Sequence, residues 1–90
     1  ITGNGIWIKE KIDEKTHIIR ARELGGDFLY DVTIYKFDEK NYLSERIQAG
    51  QVNVSSTPWV LQDVYQSSFK EKNPVEKIKT LNFNSSFNKE

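Results

Sequence analysis

The stretch LYDVTIYKF at 29–37 decides the fold, because the chain repeats its pattern as LQDVYQSSF at 61–69. Both stretches fit Leu-x-Asp-Val-x-x-x-x-Phe. A strand with one buried face alternates apolar and polar residues, yet Leu and Val stand three positions apart in both stretches. The alternation therefore slips at Asp31 and at Asp63. Such a slip turns the following side chains to the other face unless the backbone bends or bulges there.

The segment between the two stretches slips as well, at Gly50. Its apolar positions change from odd to even numbers along the series Leu43, Ile47, Ala49, Val52 and Val54. Glycine tolerates unusual dihedrals, and aspartate side chains accept local backbone hydrogen bonds. The pattern predicts a shared line of bulges, or a bend, through Asp31, Gly50 and Asp63. On this interpretation Gly50→Val costs more than about 1 kcal/mol of stability.

Two polar turns, at 38–41 and 55–58, set the predicted strand register. If Phe37 and Tyr42 flank the first turn, the expected cross-strand pairs are Val32–Ile47 and Leu29–Gly50. If Val54 and Trp59 flank the second turn, the expected pairs are Val52–Leu61, Ala49–Val64 and Gly50–Asp63. Apolar pairs of this kind are the unit that stabilises a sheet.

Period-2 patterns dominate the whole chain, and helical periodicity is weak. The sequence predicts strands at 5–12, 17–24, 28–37, 42–54, 59–69 and 75–83, with a loosely ordered tail over 83–90. Long antiparallel strands that bend fold back over themselves. We therefore expect one all-β domain over 1–90, a bent antiparallel β-jellyroll or sandwich. If its two faces splay apart, the interior becomes a groove that fits acyl chains.

Composition narrows the function classes. Thirteen basic and thirteen acidic residues cancel, so no overall field attracts nucleic acid or an anionic membrane surface. The absence of cysteine excludes disulfides and thiolate metal sites. No apolar run approaches the ~20 residues of a membrane span. The chain starts at Ile1 and contains no Met, which predicts a piece cut from a longer protein.

The sequence shows no catalytic constellation and no metal or cofactor site. The single histidine, His17, has no partner ligands at metal-binding spacing and is expected to be a surface strand residue. Asp31 and Asp63 are assigned to the bend in preference to an acid–base pair. The serine pairs at 67–68 and 85–86 lack a nucleophile-elbow context. The strand aromatics are expected to pack in the core and across strands, in preference to stacking bases.

Five segments follow one another in a characteristic order: GIWIKE at 5–10, HIIRA at 17–21, LYDVTIYKFDEKNYL at 29–43, RIQAGQV at 46–52 and WVLQDV at 59–64. Together they resemble the periplasmic domain of the lipopolysaccharide export permeases, the LptF/LptG family. The first is similar to a Gly-Φ-Trp-Φ-Lys/Arg opening, where Φ is an apolar residue. The fourth resembles an Arg-Φ-x-Ala pattern and the fifth a Trp-x-Leu-x-Asx-Val pattern. The charged loop at 11–15 departs from the family, in which a Gly/Asn turn is common.

The resemblance implies a β-jellyroll and a place at the periplasmic face of the inner membrane, inside a multi-pass parent protein. It implies no catalysis in this chain. The implied partners are lipopolysaccharide, a paired permease subunit, a cytoplasmic ATPase and a periplasmic jellyroll bridge protein that receives the lipid.

Under this interpretation the inward apolar side chains would line a lipid groove. The predicted lining residues are Ile6, Ile8, Ile18, Val32, Ile34, Ile47, Val52, Val54, Trp59, Leu61 and Val64. An ordinary closed core explains each of these positions equally well. The alternative function is therefore a stand-alone β-sandwich interaction module that binds no lipid.

Overall fold

A computed structural model describes residues 5–70, 72 and 75–87, and this part of the chain contains strands and no helix. The strands are β1 (Ile6–Ile12), β2 (Lys15–Ala21), β3 (Glu23–Gly25), β4 (Phe28–Phe37), β5 (Leu43–Asn53), β6 (Trp59–Ser68) and β7 (Glu76–Phe83). They form one antiparallel sheet in the order β1-β2-β4-β5-β6-β7, with β3 paired to β4. The predicted all-β class is confirmed, and the curled sheet is consistent with a sandwich or jellyroll-like fold.

The sheet curls so that its far edge returns over its beginning. Phe83, the last residue of β7, has its ring centroid 5.2 Å from that of His17 on β2. The Lys36 ammonium of β4 lies 5.4 Å from the same Phe83 ring. Strands far apart in the sheet order therefore face each other across the inner face, which encloses the apolar core.

One connected cluster of buried side chains forms that core. Its members are Ile19, Ala21, Leu29, Val32, Ile34, Ile47, Ala49, Val52, Val54, Trp59, Leu61, Val64 and Phe83. Each is at most 5% exposed. At about 25 cal/mol per Å² of apolar surface removed from water, this burial is the dominant favourable term for the fold.

The register between β5 and β6 matches the sequence prediction. Val52 pairs with Leu61 and Ala49 with Val64. The ladder skips Gly50 opposite Asp63, and the pairs on both sides keep one register. Between β4 and β5 the ladder likewise skips Asp31 opposite Gly50, between the pairs Tyr30–Gln51 and Val32–Ala49. The ladders skip one pair here without gaining or losing a residue, so no extra-residue bulge is present at this level.

Two more strands continue the same line. Arg22 stands opposite Asp31, because Arg20 pairs with Thr33 and Glu23 with Tyr30. Lys79 stands opposite Asp63 by the corresponding argument on β7. We call Arg22, Asp31, Gly50, Asp63 and Lys79 the kink row. On each side of it runs a line of apolar residues three positions apart within each strand, as in Leu29/Val32, Ala49/Val52, Leu61/Val64 and Ile78/Leu81.

The backbone conformation of the kink row differs from expectation in one respect. Asp31 and Asp63 have left-handed φ values of 53° and 56°, whereas Gly50 does not adopt a positive φ. A Cβ added to Gly50 would meet the Asp63 Cβ at 3.8 Å, an ordinary contact. The expected strain at Gly50 is therefore wrong, and the unusual dihedrals belong to the two aspartates, a residue type that tolerates them.

The predicted register between β4 and β5 is wrong by two residues. Val32 pairs with Ala49, and Ile34 takes the place opposite Ile47. Tyr42 belongs to the turn, since its N–H donates to Asp38 Oδ1 at 3.0 Å. Ser44 is an extra residue between the pairs Phe37–Leu43 and Lys36–Glu45. A shift of two residues preserves which face each side chain occupies. The residues predicted to point inward on β4 and β5 are therefore still correct.

Two element boundaries also differ from the predicted ones. The predicted strand at 17–24 is divided by Arg22 into β2 and β3. The predicted tail over 83–90 begins inside an ordered element, because Phe83 closes β7 and is 5% exposed. Phe87 packs against the core. Residues 88–90 of that tail lie outside the described residues.

Candidate functional site

The candidate site is the enclosed inner face, where the structure gathers most of the predicted lipid-lining residues. Eight of them are no more than 4% exposed: Val32, Ile34, Ile47, Val52, Val54, Trp59, Leu61 and Val64. Ile6 and Ile8 are half-buried and pack against this cluster from β1. In this conformation the apolar core of the inner face is closed to solvent, so a ligand reaches that core only if two parts of the sheet separate.

Ile18 stands apart from the other predicted lining residues. Its neighbour Ile19 is 1% exposed and pairs with Ile8 and Ile34 on the inner face. Because successive side chains of a strand alternate, Ile18 lies on the outer face, where its ladder partners are Lys9 and Tyr35. The adjacent pair of isoleucines made the face of β2 ambiguous in the sequence.

The inner face is bordered by the two edge strands, β1 and β7. β1 is the first strand in the sheet order and β7 the last. Within the described residues no backbone ladder joins them. We call this boundary the seam. A sheet edge leaves backbone groups free of strand partners, so the seam is the place where the inner face opens with the fewest backbone hydrogen bonds to break.

A carboxylate of β1 joins the two sides of the seam. Glu10 Oε1 accepts from Ser85 Oγ at 2.7 Å, and from Ser86 N and Oγ at 3.2 Å each. Glu10 Oε2 lies 3.1 Å from His17 Nδ1. We call Glu10, His17, Ser85 and Ser86 the seam cluster. The Glu10 side chain is 5% exposed, and its partners come from two other segments, β2 and the residues after β7.

His17 is therefore an inward residue, and its predicted surface position is wrong. Its side chain is 12% exposed and lies between Glu10 and the Phe83 ring. The inner face of β2 includes His17, Ile19 and Ala21, and its alternation places the imidazole beside the core. Burial is possible because the ring has a hydrogen-bond partner on one side and an aromatic neighbour on the other.

The seam cluster contains serine, histidine and a carboxylate, but in an order unsuited to nucleophilic catalysis. A serine nucleophile needs its hydroxyl hydrogen-bonded to a histidine that acts as base. Here Ser85 donates to the carboxylate, and Glu10 stands between the serine and His17. The arrangement holds segments together; it does not activate a hydroxyl.

Charged residues continue inward from the seam cluster across the end of the inner face. Lys36, the ladder partner of His17, approaches Glu45 Oε1 at 3.4 Å. Gln66 of β6 donates to the other carboxylate oxygen of Glu45. Two cavities, of about 280 Å³ and 160 Å³, border both His17 and Lys36. This end of the inner face is thus polar and partly open, while the remainder is apolar and closed.

Sequence reasoning missed Glu10, Ser85 and Ser86. One signal was present: Glu10 occupies an inward position in the alternation Ile6, Ile8, Glu10, Ile12. A charged residue at a core position of a strand needs a partner, and that requirement points to His17 on the neighbouring strand. The two serines gave no comparable signal, because only the curl of the sheet brings them to β1.

Two charged side chains have shifted pKa values, Asp38 in the turn after β4 and Arg22 in the kink row. Hydrogen bonds from the backbone N–H of Tyr42, and then of Lys40, lower the pKa of Asp38. The hydrogen bond to Asp31, with help from the nearby Glu23 charge, raises the pKa of Arg22. Both groups are charged at neutral pH and stabilise local chain geometry: the turn after β4 and the break between β2 and β3.

Several of the strand aromatics lie outside the core, and two of them, Trp7 and Tyr65, pack across strands against Arg20 and Lys77, as expected. Trp7, Tyr42, Tyr65 and Phe69 are between 45% and 69% exposed. Trp59, in contrast, is 2% exposed. Its ring centroid lies 6.0 Å from that of Phe83 and 6.1 Å from that of Phe87. The exposed rings belong to the outer face, to turns and to strand ends.

Over the described ranges, no helix is long and apolar enough to cross a membrane. The same ranges hold no group of three or more His, Cys, Asp or Glu side chains placed to bind one metal ion. Compared with known proteins, the chain matches no protein-family model, and no curated protein is similar to it.

Proposed function

We propose that this chain is the periplasmic domain of a lipopolysaccharide export permease, and that it helps pass lipopolysaccharide from the inner membrane to a periplasmic jellyroll bridge protein. The observation that supports the proposal is a connected apolar cluster on the inner face, whose two bordering strands share no ladder within the described residues. The five sequence segments that resemble the family agree with it. On this proposal, the paired subunit and the cytoplasmic ATPase supply the energy, and this chain carries no catalysis.

Acyl chains leave a bilayer only where another apolar surface replaces the lipid, at about 0.8 kcal/mol per methylene. The inner face supplies such a surface once the seam opens. Opening separates Glu10 from Ser85 and Ser86, and Phe83 from His17 and Lys36. These are side-chain contacts, so the ladders between neighbouring strands remain intact. The exposed edges of β1 and β7 are then free to pair with the bridge protein.

A photocrosslinking experiment tests the proposal with adjacent residues on opposite faces of β1. Benzoylphenylalanine replaces either Ile8, which packs against the core, or Lys9, which is exposed. After irradiation with lipopolysaccharide, we expect labelling from position 8 and little from position 9. Ile6 and Lys11 form a second matched pair in case the first substitution impairs folding.

Equal labelling from both faces, or none from either inward position in a folded variant, would contradict the lipid proposal. A thermal melt of each variant shows whether it is folded. Fatty acid that competes with lipopolysaccharide at position 8 identifies the acyl chains as the part in contact.

The second candidate function is a protein-interaction module with a permanently closed core. The favouring observation is the near-complete burial of the inner face, where Ile34, Val52, Leu61 and Val64 are all 0% exposed. Under this candidate the edges of β1 and β7 bind a partner strand, and neither inward position crosslinks to lipid.

A further inference from the structure

The outer face of the sheet carries a groove of about 440 Å³, on the side opposite the proposed lipid site. It spans four strands, from Arg20 on β2 to Tyr65 on β6. Neighbouring strands lie ~4.8 Å apart, so the groove is long enough for an extended ligand. The closed inner face and this groove share no opening, because the core side chains lie between them.

One wall of the groove is a continuous line of register partners. Arg20 pairs with Thr33, Thr33 with Gln48, and Gln48 with Tyr65. The line offers a guanidinium, a hydroxyl, a carboxamide and a phenol, each on a rigid strand. The guanidinium only donates, whereas the other three groups both donate and accept. Within the described residues, none of these four side chains has a hydrogen bond to another side chain.

The two end residues of that wall, Arg20 and Tyr65, each take part in a cation–aromatic contact. The Arg20 guanidinium lies 5.6 Å from the ring centroid of Trp7, which is 59% exposed. The Lys77 ammonium lies 5.8 Å from the ring of Tyr65, which is 45% exposed. These contacts restrict the rotamers of Arg20 and Tyr65 before any ligand arrives, which reduces the entropy lost on binding.

The other wall is the central part of the kink row. Asp31 and Asp63 extend from the two strands that flank β5, and Gly50 between them has no side chain. The missing side chain of Gly50 leaves room between the two carboxylates. Asp31 is paired with Arg22, whereas Asp63 stands opposite Lys79 in the register and forms no ion pair with it among the described residues. Both carboxylates can accept hydrogen bonds.

We propose that this groove binds a pyranose oligosaccharide. A pyranose has apolar C–H faces that pack on aromatic rings, here Tyr65. Its vicinal hydroxyls match groups with two polar atoms, here the carboxylates of Asp31 and Asp63 and the carboxamide of Gln48. The two carboxylates repel a phosphate, and Arg20 in the same groove offsets part of their charge, so the lining favours a neutral polyhydroxylated ligand. This inference is independent of the proposed lipid function, because it concerns the opposite face.

An amide NMR titration of the protein tests the proposal with maltotriose and cellotriose as probes. We expect shifts concentrated at Thr33, Gln48, Gly50 and Asp63. Tyr65→Ala and Gln48→Ala should each weaken binding by about tenfold, equivalent to ~1.4 kcal/mol. Tyr42→Ala is the matched control, because Tyr42 is a 69%-exposed tyrosine in a turn outside the groove, and its loss should leave the affinity unchanged.

Two further ligands separate the possible sources of a signal. Dodecyl maltoside carries a maltose group on an alkyl chain. Shifts at the groove with both maltotriose and dodecyl maltoside establish the sugar as the recognised part. Inorganic phosphate tests simple anion binding by Arg20. The proposal is overturned if neither trisaccharide shifts the groove amides at millimolar concentration, if only phosphate does, or if the alkyl maltoside alone acts and does so at inner-face amides.

Discussion

At the scale of single residues, Glu10 decides how the sheet closes. A carboxylate at an inward strand position would be costly if unpaired, and Glu10 instead accepts hydrogen bonds from β2 and from the segment after β7. The pattern of β1 contained this information, since Glu10 interrupts a row of inward isoleucines. The identity of the serine partners was inaccessible, because a chain separation of 75 residues leaves no local signal.

The Glu10 contacts lead to a first stability prediction. Glu10→Ala leaves the part-buried side chains of His17 and Ser85 without their partner, so we expect a loss of about 2 kcal/mol. Glu10→Gln keeps one carbonyl acceptor for the serines and should lose less. Chemical denaturation at neutral pH measures both. The control is Glu39→Ala on an exposed turn residue, and an effect of Glu10→Ala as small as the control's would contradict the role assigned to Glu10.

At the scale of elements, the alternation of apolar residues predicts one strand register correctly and another incorrectly. Three coincident slips in the sequence fall at Asp31, Gly50 and Asp63, where the structure shows skipped ladder pairs and two left-handed aspartates. The register of β5 with β6 followed correctly, because the turn at 55–58 is flanked by the residues that the pattern identified. The register of β4 with β5 did not, because Ser44 is inserted beside a turn where no periodic signal marks an extra residue.

The left-handed aspartates of the kink row give a second prediction. Asp63→Val places a β-branched residue at a φ of 56°, so we expect a loss of ~1–2 kcal/mol. Asp63→Gly relieves the backbone and should be tolerated. Gly50→Ala is the control, because its added Cβ meets only an ordinary contact. Thermal or urea melts measure all three. If Gly50→Ala is the most damaging, the assignment of strain to the aspartates is wrong.

At the scale of the whole molecule, the fold is a curled sheet whose edges meet through side chains. Sequence periodicity predicted the class and most inward residues, because alternation depends on local pattern. It did not predict the closure, because Phe83, Ser85 and Phe87 contact distant strands only after the sheet has curled. The seam is therefore the feature for which three-dimensional information was indispensable.

The seam gives a third prediction. Phe87→Ala removes the edge contact with Trp59, so we expect ~1–2 kcal/mol less stability and a red-shifted tryptophan emission as water reaches Trp59. Amide exchange should accelerate in β1 and β7 before the central strands. Phe69→Ala is the control, because that ring is 51% exposed. Uniform exchange changes across all strands would show that the edges do not separate first.

The register-preserving kink row has a consequence for how this protein tolerates change in chain length. The five positions of the kink row lie at one level, and each ladder keeps its register across the row. The row therefore acts as one shared crease of the sheet. Deleting one residue from one strand would misalign that crease with its neighbours. Matched deletions in adjoining strands would merely move it, and related chains are expected to vary there in concert.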